Sequence, residues 1–293
     1  MKKYLSLVTF SHTVFAMPFA FIGFFLAVTT TTYHFEWIKL VMMVLCMVFA
    51  RNSAMAFNRY LDRDIDAKNP RTKLRDVPSG RISPASALTF TIINCVLFIV
   101  TTWYINRLCF YLSPVALVVV LGYSATKRFT ALCHLVLGLG LSLAPIGAYL
   151  AVTGAFALTP LFFSFAVLCW VSGFDIIYAL QDEDFDRTEK LHSIPAWVGK
   201  VNALRWSTFL HVLSAVFVVM PVFYTHVGIL YYAGIAFFCG MLIYQHLLVK
   251  PNDLSRVNFA FMTTNGIASV VFAVFFLLDR YVTTHGLAFG IHI

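Results

Sequence analysis

Long apolar runs alternate with short polar segments along nearly the whole chain. A helix of about 20 apolar residues is long enough to cross the hydrocarbon core of a bilayer. The pattern therefore predicts an all-α, polytopic membrane protein that forms a single domain over residues 1–293. It predicts nine transmembrane helices, at about 13–32, 38–57, 86–104, 109–126, 132–153, 160–180, 203–223, 228–248 and 258–278.

Two polar patterns interrupt this hydropathy where the second and sixth predicted helices end. Each pattern repeats at helical spacing, so its members are expected on one face of a helix. The first, at i, i+4 and i+8, comprises Asn58, Asp62 and Asp66. The second, at i, i+3, i+7 and i+11, comprises Asp175, Tyr178, Asp182 and Asp186.

The carboxylates of both patterns lie at the edge of a membrane span, where they are energetically costly and indicate function. Oxygen-bearing side chains on one face suit a hard divalent cation such as Mg²⁺. We therefore expect the two acidic faces to oppose each other and to bind a diphosphate through metal ions. A single aspartate could instead cap a helix or pair with a loop arginine, but two matched faces would require two such coincidences. Asp64, Glu183 and Asp184 fall off these faces and are interpreted as solvated loop charges.

The composition agrees with a membrane protein. The chain is 60% hydrophobic and only 12% charged, with a mean hydropathy of +0.82, whereas soluble proteins carry about 25% charged residues. Its net charge of +8 comes from Lys and Arg scattered over short loops, which is not the pattern of a nucleic-acid-binding protein. The six cysteines lie mostly inside apolar runs without a C-x-x-C pair, so we interpret them as small buried hydrophobic residues.

The basic residues also predict the orientation of the chain. All but four of the 21 Lys and Arg belong to the N-terminus or to the loops after helices 2, 4, 6 and 8 and the adjoining helix ends. The four exceptions are Lys39, Arg51, Arg107 and Arg280. Because basic loops stay in the cytoplasm, both acidic motifs and the N-terminus are expected there, with the C-terminus outside.

Basic residues beside the motifs are candidates for binding phosphate or carboxylate groups. Arg71 and Arg81, in the loop after the second helix, could cover a diphosphate, although either could serve only to orient the chain. Lys127 and Arg128 end the fourth helix, where interface anchors are common. In a functional role, Lys127 would hold a phosphate as a point charge and Arg128 would bind a carboxylate in bidentate fashion.

Two further features lie deeper inside the predicted helices. Arg51 is seven residues before Asn58 on the same face, and a buried arginine needs a partner. A motif carboxylate and a ligand anion are both open as that partner. In the fifth helix, Gly140, Ala144 and Ala148 form a stripe of small residues, which we interpret as a helix-packing surface.

These residues resemble the UbiA-type membrane prenyltransferase superfamily. Its first motif, N-x-x-x-D-x-x-x-D, is matched by Asn58, Asp62 and Asp66. Its second motif, Y-x-x-x-D-x-x-x-D, is matched by Tyr178, Asp182 and Asp186. Asp175 and the segments 78–83, 126–128 and 191–195 resemble the 4-hydroxybenzoate polyprenyltransferase branch in particular. One departure is Arg59, since many members carry Asp directly after the motif Asn, and this removes one potential acidic ligand.

The resemblance implies an all-helical bundle around a central cavity that opens sideways to lipid. The donor would be a polyprenyl diphosphate, and the acceptor would be 4-hydroxybenzoate or a related aromatic carboxylate, in ubiquinone or menaquinone biosynthesis. The cofactor would be Mg²⁺. The protein would lie in a bacterial inner membrane, in contact with lipid, with no nucleic-acid partner and no obligate protein partner.

The resemblance also implies roles for individual residues. Metal and diphosphate binding would fall to the two motifs, through Asn58, Asp62, Asp66, Asp182 and Asp186. Arg71 and Lys127 would contact the diphosphate, and Arg128 would hold the acceptor carboxylate. Further candidates for substrate contact are Arg51, Asp175, Tyr178 and Ser193.

Other functions remain as alternatives. Within the superfamily, the naphthoate, haem O, chlorophyll and tocopherol branches are open. An ion-coupled transporter also uses intramembrane acids, but usually within broken helices rather than at helix ends beside basic loops. A phosphatidyl-alcohol transferase, another Mg²⁺ membrane enzyme, would carry the pattern D-G-x-x-A-R before G-x-x-x-D-x-x-x-D, which is absent from this sequence.

Overall fold

The computed structural model describes residues 13–284, and this part of the chain is helical without a β-strand. The predicted all-α fold class is therefore confirmed. A π-helical turn, Ala260–Thr264, joins the last two helices. The helices are α1 Thr13–Thr30, α2 Trp37–Leu61, α3 Arg63–Lys68, α4 Pro84–Ile105, α5 Arg107–Thr126, α6 Cys133–Thr153, α7 Leu158–Ala179, α8 Glu183–Thr188, α9 Ile194–Val219, α10 Ile229–Leu248, α11 Val257–Phe259 and α12 Asn265–Thr284.

Eight helical segments within residues 13–284 are long and apolar enough to cross a membrane. They contain α2, α4, α5, α6, α7, α9, α10 and α12, and they correspond to eight of the nine predicted spans. In α1, the apolar segment Phe15–Thr30 is shorter than such a span. The predicted count of nine is therefore not confirmed, whereas the polytopic helical architecture is.

The largest difference from the predicted boundaries is at α9, which begins at Ile194 rather than near residue 203. Ser193 caps its first turn by accepting a hydrogen bond from the Ala196 N–H (3.3 Å), and Pro195 suits the first helical positions because it has no N–H to satisfy. Gly199 interrupts the helix with φ of +77°, a conformation that favours glycine. Hydropathy alone detects only the apolar part beyond this break.

The helices pack closely where small residues replace bulky ones. Gly23 of α1 lies against the backbone of Pro145 in α6, and no Cβ fits there. Gly138 of α6 likewise lies against the Leu168 carbonyl of α7. Such contacts let membrane helices approach closely without a polar interaction. They place α1, α6 and α7 around a common aromatic core that includes the fully buried Trp170.

Candidate active site

A cavity of about 610 Å³ opens inside the bundle, between walls formed mainly by α2, α5, α6 and α7. The two acidic motifs meet at one end of it, where α2, α5 and α7 end and α6 begins. The remaining wall is mostly apolar, with Arg51 as its charged residue. The predicted central cavity is thus present, while its sideways opening to lipid stays a prediction. Polar residues at this end include Asn58, Asp62, Lys127, Tyr178, Asp182 and Asp186.

The first motif does not lie on one continuous helix. The α2 helix ends at Leu61, Asp62 has φ of −88° and ψ of 5°, and α3 starts at the next residue. Asn58 Nδ2 donates to Asp62 Oδ2 at 2.8 Å, so these two side chains stay together. Asp66 is turned away from the cavity wall, and Arg75 Nη1 donates to both of its oxygens at 2.8 and 3.0 Å. The expected single face is therefore wrong at Asp66, whose carboxylate is bound by Arg75 instead of joining Asn58 and Asp62 at the cavity.

The second motif crosses a similar break and is bound by the loop that follows the first. Arg71 forms a bidentate pair with Asp182, with Nε at 3.1 Å from Oδ1 and Nη2 at 2.5 Å from Oδ2. Its Nη1 also donates to Tyr178 Oη at 2.8 Å, and Asn69 Nδ2 donates to Asp182 Oδ1 at 3.1 Å. Burial lowers the pKa of Arg71, but its hydrogen bonds to Asp182 and the charge of that carboxylate outweigh this, so the pKa is raised. The expected proximity of the two motif regions is observed in this contact.

Two other carboxylates at the polar end face cations. Arg128 Nη2 lies 2.9 Å from Asp62 Oδ1, although it does not point along a hydrogen-bond direction. Lys127 Nζ lies 3.4 Å from Asp186 Oδ1. Burial raises the pKa of the Asp62 carboxyl, and Arg128 and Lys127 only partly oppose that shift. Additional positive charge at this position would favour ionised Asp62.

Asp62 Oδ1 and Asp186 Oδ1 are buried oxygens without a hydrogen-bond donor, and both residues line the cavity. Such oxygens suit Mg²⁺, which is usually bound by one or two protein carboxylates together with substrate phosphates. Among residues 13–284, no group of three or more His, Cys, Asp or Glu side chains forms a metal site by itself. The donors therefore fit a metal ion that shares its coordination with a bound diphosphate.

Two side chains contact the ring of Tyr178. Phe261 stacks on its ring at a centroid distance of 4.1 Å, and the Arg71 guanidinium lies 5.1 Å from the ring centroid. Phe261 belongs to the π-helical turn, whose carbonyl at Phe261 accepts from Asn265 Nδ2 at 2.9 Å. Trp170 Nε1 donates in turn to Asn265 Oδ1 at 2.9 Å. A polar Asn inside the last apolar run was the signal that could have identified this support.

Asp175 lies in the cavity wall and has a defined partner in His134. Asp175 Oδ2 is 2.7 Å from His134 Nδ1, and the Ile194 backbone N–H donates to His134 Nε2 at 3.3 Å. Since Nε2 accepts a hydrogen bond, Nδ1 carries the proton and donates it towards the Asp175 carboxylate. His134 therefore orients Asp175, a role that the spacing of the motif does not reveal.

Arg128 and Arg51 have different surroundings in the structure. Arg128 donates to the backbone carbonyls of Leu61 (2.9 Å) and Ser124 (3.1 Å), pairs with Asp62, and is not part of the cavity wall. Arg51 does line the cavity, and its buried Nε has no hydrogen-bond partner. No carboxylate within residues 13–284 lies within ion-pair distance of Arg51. The motif carboxylates are therefore not its partner in this structure.

The other predicted charges have simpler positions. Arg81 pairs with Asp76 at 3.2 Å and lies outside the cavity wall. Asp184 is exposed, as expected, but Glu183 is buried and pairs with Arg187 at 2.8 Å. The interpretation of Glu183 as a solvated loop charge is therefore wrong, because the start of α8 turns it inward.

Ser193 lines the cavity, but its hydroxyl is already used as the cap of α9. We expect Ser193→Ala to lower the free energy of unfolding by about 1 kcal/mol, because the Ala196 N–H loses its acceptor. Ser193→Asn should retain most of the stability, since Asn is an equally good cap. Thermal unfolding of the purified variants in detergent measures this. Unchanged stability together with weaker donor binding would instead indicate a direct contact with substrate.

Comparisons with known proteins agree with this fold and site. Residues 16–276 match the model of the UbiA prenyltransferase family. The 4-hydroxybenzoate octaprenyltransferase of Tolumonas auensis is 28% identical over 223 residues, which cover 76% of this chain and 78% of that protein. The protein of the same name from Nitrosospira multiformis is 29% identical over 234 residues, or 80% of each chain.

Solved structures show the same architecture. The apo structure of a UbiA homolog from Aeropyrum pernix K1 has a TM-score of 0.82 and 30% sequence identity, and the match covers 92% of this chain and 98% of that one. A UbiA homolog from Archaeoglobus fulgidus, bound to GPP and Mg²⁺, has a TM-score of 0.71 at 22% identity and covers 96% and 100% of the two chains. The family match over most of the chain is decisive: this integral membrane protein belongs to the UbiA prenyltransferase family.

Proposed function

We propose that the protein transfers a polyprenyl group from polyprenyl diphosphate to a ring carbon of 4-hydroxybenzoate or a related aromatic carboxylate in quinone biosynthesis. One observation carries this proposal: a single long cavity has a charged end, where both acidic motifs lie, and a mostly apolar remainder. A charged end suits a diphosphate, and an apolar cavity suits its hydrocarbon tail. The names of the relatives from Tolumonas and Nitrosospira support the same acceptor.

In this reaction, the allylic carbon–oxygen bond of the donor breaks and diphosphate leaves. The ring carbon beside the phenol hydroxyl then forms the new carbon–carbon bond and loses its proton. Arg71 and Lys127, which line the polar end, would add positive charge where negative charge develops on the leaving group. The apolar wall would keep water away from the allylic cation.

The proposed metal is Mg²⁺, which would neutralise charge on the leaving diphosphate. Asp62 and Asp186 each offer a buried oxygen without a hydrogen-bond donor, so they are the first candidates to hold it. Asn58 and Asp182 lie at the same end of the cavity and complete the proposed set. Asp66 would have to leave Arg75 before it could bind a metal.

Arg51 is the residue that we propose to bind the acceptor carboxylate. It lies seven residues before Asn58, and two helical turns place it about 10 Å deeper along α2. A cation at that depth without an ion-pair partner suits the carboxylate of an aromatic ring that enters below the diphosphate. Arg128, the acceptor site implied by the resemblance, is instead proposed to position Asp62.

The proposed orientation puts the polar end of the cavity at the cytoplasmic face of a bacterial inner membrane. The loops at that end contain most of the Lys and Arg residues. This distribution supports the placement, because basic loops are retained on the cytoplasmic side.

Transfer by the purified protein tests the proposal. With Mg²⁺, labelled octaprenyl diphosphate and 4-hydroxybenzoate, we expect a prenylated aromatic product, and we expect EDTA to remove it because the leaving diphosphate then lacks its counter-ion. Mass spectrometry of the lipid extract identifies the product. Donor binding without a product would indicate that the acceptor is another aromatic compound, such as a naphthoate. Folded protein that neither binds donor nor forms product would contradict the proposed function.

A further inference from the structure

The cavity is long as well as apolar. Along α2 its lining extends from Asn58 to Met43, and along α6 from His134 to Ala151. At 1.5 Å per residue these stretches correspond to about 22 and 25 Å. The hydrocarbon core of a bilayer is about 30 Å thick. A chain that is anchored at the polar end can therefore run most of the way across the membrane inside the protein.

The wall formed by α6 alternates small residues with leucine and isoleucine side chains. The small residues that line the cavity there are Gly140, Ala144, Gly147, Ala148 and Ala151. The stripe interpreted from sequence as helix packing thus also borders the cavity, although Ala144 and Ala148 do pack in the core. The small positions leave local room for a branched hydrocarbon, and single substitutions there can fill that room.

Two glycines of this wall lie at different depths on the same helical face. Gly140 and Gly147 are seven residues apart, which corresponds to two helical turns. Measured along α6 from His134, they lie at about 9 and 20 Å. A Cβ at Gly147 would meet no atom within 4 Å, and a Cβ at Gly140 would make only ordinary contacts with Val120, the nearest at 3.8 Å. Because both glycines line the cavity, a larger side chain at either position can extend into it.

The other end of the same cavity carries an independent sign of a ligand. The Asp186 side chain is 3% exposed, and its Oδ1 has no hydrogen-bond donor. With the diphosphate at this end, as proposed above, the tail extends into the apolar part of the cavity, which α6 lines. A tail in this direction reaches the level of Gly140 before that of Gly147.

We propose that Gly140 and Gly147 set the length of prenyl chain that the protein accepts. The inference rests on the proposed function and concerns the donor tail. Gly147 leaves space for the distal part of a long tail, and Gly140 leaves space for a tail of intermediate length to pass. A large side chain at either position blocks the part of the cavity beyond it, because the surrounding helices are too well packed to move aside.

Phenylalanine substitutions test this, with competing geranyl, geranylgeranyl and octaprenyl diphosphates as donors and 4-hydroxybenzoate as acceptor. We expect Gly147→Phe to lower kcat/KM for the octaprenyl donor by about tenfold or more, and to leave the geranyl donor within about twofold. Gly140→Phe should also exclude the geranylgeranyl donor. Product lengths are measured by mass spectrometry. Retained activity with the geranyl donor shows that each variant is folded.

Gly240→Phe is the matched control. Gly240 is an exposed glycine within α10, it does not line the cavity, and a Cβ there meets nothing within 4 Å. Its chain-length profile should equal that of the unmodified protein. If both cavity variants keep the original profile, the tail leaves sideways between helices before it reaches α6, and the proposal is wrong. If the unmodified protein uses none of the three donors, the proposed function fails instead.

Discussion

Asp182→Asn is expected to lower the rate of prenyl transfer by about 1000-fold. The substitution nearly preserves the shape of the side chain but removes its charge. In the native protein that charge holds Arg71 through two hydrogen bonds and accepts a third from Asn69. The amide presents one acceptor and one donor group, so the guanidinium fork can no longer be matched. Both a proposed metal ligand and the position of Arg71 are lost together.

Initial rates with saturating labelled donor and Mg²⁺ measure this effect. Asp184→Asn is the matched control, because Asp184 lies two residues further along the chain, is exposed and does not line the cavity. It should retain nearly full activity. An equal loss in both variants would indicate a general effect of charge in this loop. Full activity of purified Asp182→Asn would falsify the role of the second motif.

Helical spacing in the sequence predicts most of the polar end of the site. Asn58, Asp62, Asp182 and Asp186 all line one end of the cavity, as expected from residues that repeat at i, i+4 next to the end of an apolar helix. The signal is strong here because acids are rare inside apolar spans, so each one is informative. The fold class follows from the same hydropathy.

Spacing holds across the break in the second motif, where Asp182 and Asp186 both line the cavity, but not in the first. Asp66 continues the i, i+4 repeat of the first motif, yet α2 ends before Asp62 and Asp66 does not line the cavity. No residue in the segment is Pro or Gly, so the sequence does not mark the break. Arg75, nine residues away, then occupies both oxygens of Asp66. Partners of this kind depend on the loop conformation, which periodicity does not describe.

Contacts between residues that are far apart in the chain could also not be predicted from the sequence. Phe261 lies 83 residues after Tyr178 in the chain and stacks on its ring. It is one of 30 phenylalanines, and nothing in its local sequence distinguishes it from the others. Only the π-helical turn, which Asn265 stabilises, brings it to the site. Local patterns in the sequence therefore identify the polar residues of the site. Which other side chains contact them depends on tertiary packing.

Arg51 and Arg128 illustrate the same limit and lead to the second large expected effect. Both are arginines near the motifs, and sequence favoured Arg128 for the acceptor. The structure gives Arg128 three protein partners and leaves Arg51 in the cavity wall without a carboxylate. Arg51→Gln is expected to raise the KM for 4-hydroxybenzoate by about 30- to 100-fold, the value of a lost charge-assisted hydrogen bond. The KM for the donor should change little.

Arg128→Gln provides the comparison. Since Arg128 pairs with Asp62 and donates to the Leu61 carbonyl, its loss should disturb the end of α2 and lower kcat, with little change in the KM for the acceptor. Steady-state kinetics with each substrate varied in turn separate the two patterns. The reverse result, a raised acceptor KM in Arg128→Gln alone, would return the acceptor site to Arg128.

An acceptor without a charge gives the sharper test of Arg51. In 4-hydroxybenzamide the carboxylate is replaced by a neutral group of similar shape. If Arg51 binds the carboxylate, the native protein should use this amide poorly, whereas Arg51→Gln should use the acid and the amide about equally. A general distortion of the cavity would lower the use of both acceptors by the same factor. Loss of discrimination between acid and amide therefore separates a direct contact with the carboxylate from an indirect effect on the cavity.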